Sequence, residues 1–243
     1  MINYPIIITL ISGLSTMIGY FTIYIKIDQN KLIKYSEALA SGVMICVTTV
    51  ELIPQGIKLL KNNNSNYILG IISITIGMIL PIIINKTIKE EEETYKLGIL
   101  SSIAIIMHNI PEGIITYLTS IKNIKLGVNI AISIIMHNIP EGIAISLPIY
   151  IGTKNKKKAL IIVLISALSE PLGALLTHIF IKNIITDKIL GITLLIVGGI
   201  MSYLSMIKIL PKSLEYKEKK KTIFFFILGI IIMYISVKIV EKI

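Results

Sequence analysis

The chain reads as an all-α integral membrane protein with eight transmembrane helices, set out as an inverted repeat of three, a central pair and three more. Three observations predict this. Of 243 residues 54% are hydrophobic and 16% charged, and mean hydropathy is +0.83, values that fit a membrane protein far better than a soluble domain with a buried core. Apolar stretches long enough to cross about 30 Å of hydrocarbon recur at 5–25, 33–57, 67–85, 97–120, 127–150, 159–181, 189–210 and 222–240. Short segments of the first third also recur in the last third.

Span one follows residues 1–4, which carry no basic region, and has the length of a full crossing, so a cleavable signal peptide is not expected. Span two holds the one cysteine, Cys46, which excludes a disulfide framework or a thiolate metal cluster. Toward its outer end lies Glu51 in Glu-Leu-Ile-Pro, which reads equally as an accessory metal ligand or as a solvated terminal acid. Span three leads into the acidic run Glu90 to Glu93, read as a solvated loop, with a weak cytoplasmic metal trap as the minor reading.

Spans four and five each contain Met-His-Asn-Ile-Pro-Glu-Gly, at 107–113 and 136–142. Span six carries Glu170 before Pro171 at mid-span, with His178 at its outer end as an interfacial residue. Span seven carries Lys208 ahead of Pro211, and span eight closes the chain. The gaps are too short to fold alone, so residues 1–243 form a single transmembrane domain.

The formal net charge is +10 and every basic side chain is lysine. These lysines fall in the gaps between spans, a placement that membrane topology explains and that gives no separate basic domain for nucleic acid. With the amino terminus outside, the inward gaps hold fifteen lysines and the outward gaps and tail eight. The bias predicts both termini outside.

The repeat is specific in places. Residues 10–19, Leu-Ile-Ser-Gly-Leu-Ser-Thr-Met-Ile-Gly, resemble residues 164–173, Leu-Ile-Ser-Ala-Leu-Ser-Glu-Pro-Leu-Gly; Gly42, Met44 and Pro54 recur as Gly199, Met201 and Pro211. Spans one and six cross in opposite directions, as do two and seven, and four and five. Inverted repeats with discontinuous helices and a midplane site are a feature of secondary transporters.

The doubled heptapeptide carries the chemistry. Polar and ionisable groups in hydrocarbon are costly unless partnered, and a bound cation is the simplest partner. His108 and Glu112, four apart, share a helix face, with Asn109 on the adjoining one; His137, Asn138 and Glu141 repeat this. Pro111 and Pro140 each remove a backbone donor and crowd a carbonyl one turn back, which predicts a kink at the site. Imidazole suits borderline ions such as zinc and iron, and carboxylate with amide oxygen suits manganese. One partition places His108, Glu112, His137 and Glu141 round one ion. Asn109, Asn138, Glu112, Glu141 and Glu170 hold another, with bridging carboxylates. A mixed ligand set releases its ion more easily than thiolates, so passage is the expected purpose. A membrane-embedded metal hydrolase is the rival reading, but no His-Glu-x-x-His motif or nucleophile elbow accompanies these residues.

The paired His-Asn-Ile-Pro-Glu-Gly segments, Ser-Glu-Pro-Leu-Gly-Ala at 169–174 and Glu-Leu-Ile-Pro at 51–54 closely resemble the ZIP family of divalent-metal transporters, its bacterial broad-specificity zinc-uptake branch above all. The resemblance implies eight spans with both termini outside in the cell membrane, a binuclear site between helices four, five and six, uptake of Zn(II) and also Fe(II) or Mn(II), no cofactor, and a homodimer. It assigns the ligands to His108, Asn109, Glu112, His137, Asn138, Glu141 and Glu170. Two departures stand out. Ile207-Lys208 occupies the place where such relatives carry an acid, which weakens the case for an exit site there, and their long His-rich cytoplasmic loop is replaced by the short Glu run.

Overall fold

The computed structural model describes residues 3–26, 28–62, 67–89, 92–181, 186–215 and 218–240. Among these there is no strand, and eight helices are long and apolar enough to cross a membrane. They are α1 (Tyr4–Tyr24), α2 (Lys31–Lys61), α3 (Tyr67–Thr87), α4 (Glu93–Lys122), α5 (Ile124–Thr153), α6 (Lys156–Phe180), α7 (Asp187–Leu214) and α8 (Lys219–Ile239). Glu90 and Glu91 of the acidic run, and Lys182, Lys217 and Lys242, lie outside the described residues.

Local chemistry sets the helix ends. Asn123 alone joins α4 to α5: its backbone N–H donates to Thr119 O at 2.8 Å, and its side chain accepts from Leu126 N at 3.2 Å. Asn155 and Thr186 cap α6 and α7 in the same way. Glu92 caps α4 by accepting from Tyr95 N, so this member of the acidic run has a structural task. Lys154 ends α5 in the left-handed region at φ 53°.

Several helix pairs approach through reciprocal glycines. Gly113 of α4 faces Glu170 O while Gly173 of α6 faces Ile110 O, and Gly142 of α5 faces Thr16 O while Gly19 of α1 faces Ile139 O. Gly42 and Gly229 join α2 to α8, and Gly77 and Gly199 join α3 to α7, in the same manner. A Cβ at any of these glycines would collide with the opposing backbone, and the missing side chain is what allows such close packing in hydrocarbon.

Two apolar clusters flank the centre. Met44, Leu100 and Met201 belong to one shared by α2, α4 and α7; Tyr20, Ile105, Ile145 and Val163 belong to one shared by α1, α4, α5 and α6. The outlying helices α3 and α8 turn rows of isoleucine outward, among them Ile71, Ile79, Ile231 and Ile235.

The prolines leave different marks on their helices. α4 and α5 continue as α-helix through Pro111 and Pro140. Widened π-helical turns occur instead at Thr48–Leu52, just before Pro54 in α2, and at Leu204–Ile209, just before Pro211 in α7. A wider turn relieves the clash between a proline ring and the carbonyl one turn back. A third such turn, Thr177–Ile181, lies at the end of α6.

Candidate metal centre

All seven residues singled out in the sequence are buried: Glu112 is 6% exposed, His137 1%, and the other five fully enclosed. α4 supplies His108, Asn109 and Glu112, α5 supplies His137, Asn138 and Glu141, and α6 supplies Glu170.

Glu112 lies between the two imidazoles. Its Oε1 is 3.2 Å from His108 Nε2 and 3.2 Å from His137 Nε2, and the ring centroids are 5.8 Å apart. Glu141 Oε1 stands 3.6 Å from His108 Nε2, yet neither Glu141 oxygen has a hydrogen-bond donor. One ligand atom from each of His108, Glu112 and His137 falls within 4.8 Å of the others, a spacing that a single metal ion can span.

A second group lies beside the first. Asn138 Nδ2 donates to Ser12 O at 2.9 Å and to Glu170 Oε2 at 3.0 Å, and the Ser12 hydroxyl donates to Glu170 Oε1. Asn109 Nδ2 donates to Ser166 O at 3.2 Å. Backbone carbonyls can only accept, so they fix each amide with its nitrogen turned to the backbone. The amide oxygens of Asn109 and Asn138 are left buried without a donor. Buried acceptors are normally satisfied, and a cation satisfies carboxylate and amide oxygens together. Ser12 and Ser166 were not singled out as site residues. The signal lay in the repeat, since they hold equivalent positions in the matched segments 10–19 and 164–173.

The group opens toward one end of the bundle. A cavity of about 550 Å³ descends between α2, α4 and α5 from the end that holds the amino terminus, and Glu112 and His137 are among the residues that line it. Glu51 lines its wall, half-buried, and accepts from the Ser133 hydroxyl at 3.0 Å, so it is more than a solvated terminal acid. At the opposite end a cavity of about 180 Å³ lies between α3, α4 and α7, lined by Lys96, Lys208, Lys212 and Glu215 and by none of the seven residues. His178, exposed at the end of α6, lies 2.6 Å from Tyr117 Oη through Nδ1, away from the cluster.

A family profile described as ZIP Zinc transporter matches residues 85–236. Similar proteins include the zinc transporter ZupT of Chlorobaculum parvum, 32% identical over 253 residues covering 94% of each chain. The zinc transporter ZupT of Streptococcus mutans is 34% identical over 95% of each chain. That of Campylobacter jejuni is 31% identical over 97% of this chain and 96% of its own.

Proposed function

Because the chain belongs to the ZIP zinc transporter family, we propose that it carries Zn(II), and with it Fe(II) and Mn(II), into the cytoplasm by alternating access through a binuclear midplane site. It is a transporter and not an enzyme. One ion is held by His108, Glu112, His137 and Glu141, the other by Asn109, Asn138, Glu170 and the shared carboxylates of Glu112 and Glu141. The observation that carries this reading is a set of buried acceptors without donors, Glu141 Oε1 and Oε2 and both asparagine Oδ1 atoms, on the two helices whose imidazoles meet at Glu112. Glu51 attracts the ion at the cavity wall and hands it inward.

Residues 1–243 act as a single transmembrane domain in the plasma membrane, with both termini outside, and pair as a homodimer as the family resemblance implies. The lysine placement supports the orientation, which makes the 550 Å³ cavity the outer one. The reciprocal glycines support the inverted repeat: α1 meets α5 as α6 meets α4, and α2 meets α8 as α7 meets α3.

The test is zinc uptake into proteoliposomes with Glu141→Ala. Uptake is expected to be lost while the protein still inserts, and unchanged uptake would contradict the site. Ion accumulation with and without an imposed gradient separates carrier from channel.

A further inference from the structure

Outside the midplane cluster, α2 buries a second acid without a partner. Glu37 is 1% exposed and neither carboxylate oxygen has a hydrogen-bond partner. Lys34 and Ser41 lie one turn before and after it on the same helix face, and both are engaged. Lys34, 4% exposed, holds Glu218 at 3.7 Å, and the Ser41 hydroxyl donates to Ser205 O at 2.8 Å. Ser205 belongs to the widened turn Leu204–Ile209 of α7. Glu37 therefore sits one turn inward of the point where α2 grips the irregular stretch of α7.

The charges acting on Glu37 from α7 are Lys212 and Glu215, which pair with each other at 3.0 Å. Both line the 180 Å³ cavity together with Lys208. At the same end α8 begins with Lys219, Lys220 and Lys221, of which Lys221 holds Glu218 at 2.7 Å, and α5 ends with Tyr150 and Lys154.

We propose that Glu37 is a proton-binding site of the transporter that exchanges with the cytoplasm, giving its proton up when α7 moves to open the inner cavity and taking one back from the same side as that cavity closes. The proposal rests on the transport reading above. A bare carboxylate in dry surroundings loses its hydration with nothing in return, whereas the neutral acid buries far less charge. When α7 shifts, water admitted to the cavity reaches the carboxyl. The O–H bond breaks, its electron pair stays on the carboxylate oxygen, and the proton passes to that water. Lys212 then faces the new carboxylate in competition with Glu215.

The full chain is reconstituted into liposomes loaded with buffers at a series of internal pH values, and zinc is added outside at constant external pH. Glu37→Gln keeps the shape and removes the titrating group, so the dependence of zinc uptake on internal pH is expected to flatten; an unchanged dependence overturns the proposal. Infrared spectroscopy of the resting protein gives a readout that needs no transport. Wild type is expected to show a protonated-carboxyl band that Glu37→Gln lacks, and identical spectra overturn the assignment. If Glu37→Gln fails to insert, Glu37→Asp is read instead. A retained internal-pH dependence with a shifted band supports the site, and uptake indifferent to internal pH overturns it. Absence of zinc movement in every protein would refute the transport reading and leave the infrared comparison to decide Glu37.

Discussion

Glu112 has one carboxylate oxygen at 3.2 Å from both imidazoles, so its charge holds the two halves of the cluster together. Glu112→Gln keeps the volume but removes the negative charge and turns one acceptor oxygen into a donor, and zinc uptake should fall on the order of 100-fold in initial-rate measurements. His137→Ala should weaken zinc more than manganese, because imidazole suits zinc while carboxylate and amide oxygens suit manganese. An equal loss for both metals would refute the division of ligands between two ions. Ser12→Ala removes one of the donors to Glu170 and leaves Asn138; uptake about tenfold slower is the expectation, milder than for Glu170→Ala. The seven candidates were legible in the sequence because acids, amides and imidazoles are conspicuous in apolar runs. The hydroxyl of Ser12 and the carbonyl of Ser166 were not, since serine is common in such helices and a backbone carbonyl leaves no mark in a sequence.

Among the helices, spacing between backbones decides whether those ligands meet. A Cβ on Gly113 would press on Glu170 O, so Gly113→Ala should force α4 and α6 apart at a cost of about 1–3 kcal/mol. Its signature is a lower unfolding temperature in detergent and lost uptake with every ligand intact. Gly70→Ala is the control, because its Cβ would meet Leu195 Cδ1 at an ordinary 3.5 Å. Where the chain enters α8, hydrogen bonds from Lys221 and Tyr35 hold the exposed Glu218 carboxyl down from 4.5 to about 2. A lowered folded-state value means that its stabilisation is present above pH 4.5 and is lost as pH falls toward 2. Thermal unfolding should show that loss in wild type and not in Glu218→Gln. The prolines gave only part of the helix geometry. Pro54 and Pro211 follow widened turns as their ring chemistry suggests, while the α-helix runs on through Pro111 and Pro140 without one. Both are buried among α1, α4, α5 and α6, where neighbours packed through glycine constrain the turn; a residue's own preference does not contain that information.

For the molecule as a whole, the two cavities define sides that can be labelled. Cys46 is 3% exposed, so the native thiol should stay silent toward an impermeant maleimide. Gln55→Cys should react from outside the cell and Asn85→Cys only after the membrane is opened; the reverse pattern would invert the proposed orientation. Eight crossings were legible because hydrocarbon thickness imposes a length on every apolar run. The cavities were not, because they arise where α2 meets α4 and α5, and where α3 meets α4 and α7, contacts between residues far apart in the chain. The 550 Å³ cavity reaches Glu112 and His137, whereas Glu141 and Glu170 are fully enclosed and do not line it. A cargo ion must therefore shed its aqua ligands at that threshold before the deeper donors can replace them. Magnesium, which gives up water reluctantly, would be turned away at this step however abundant it is, so discrimination begins with the ease of dehydration as well as with the strength of the final embrace.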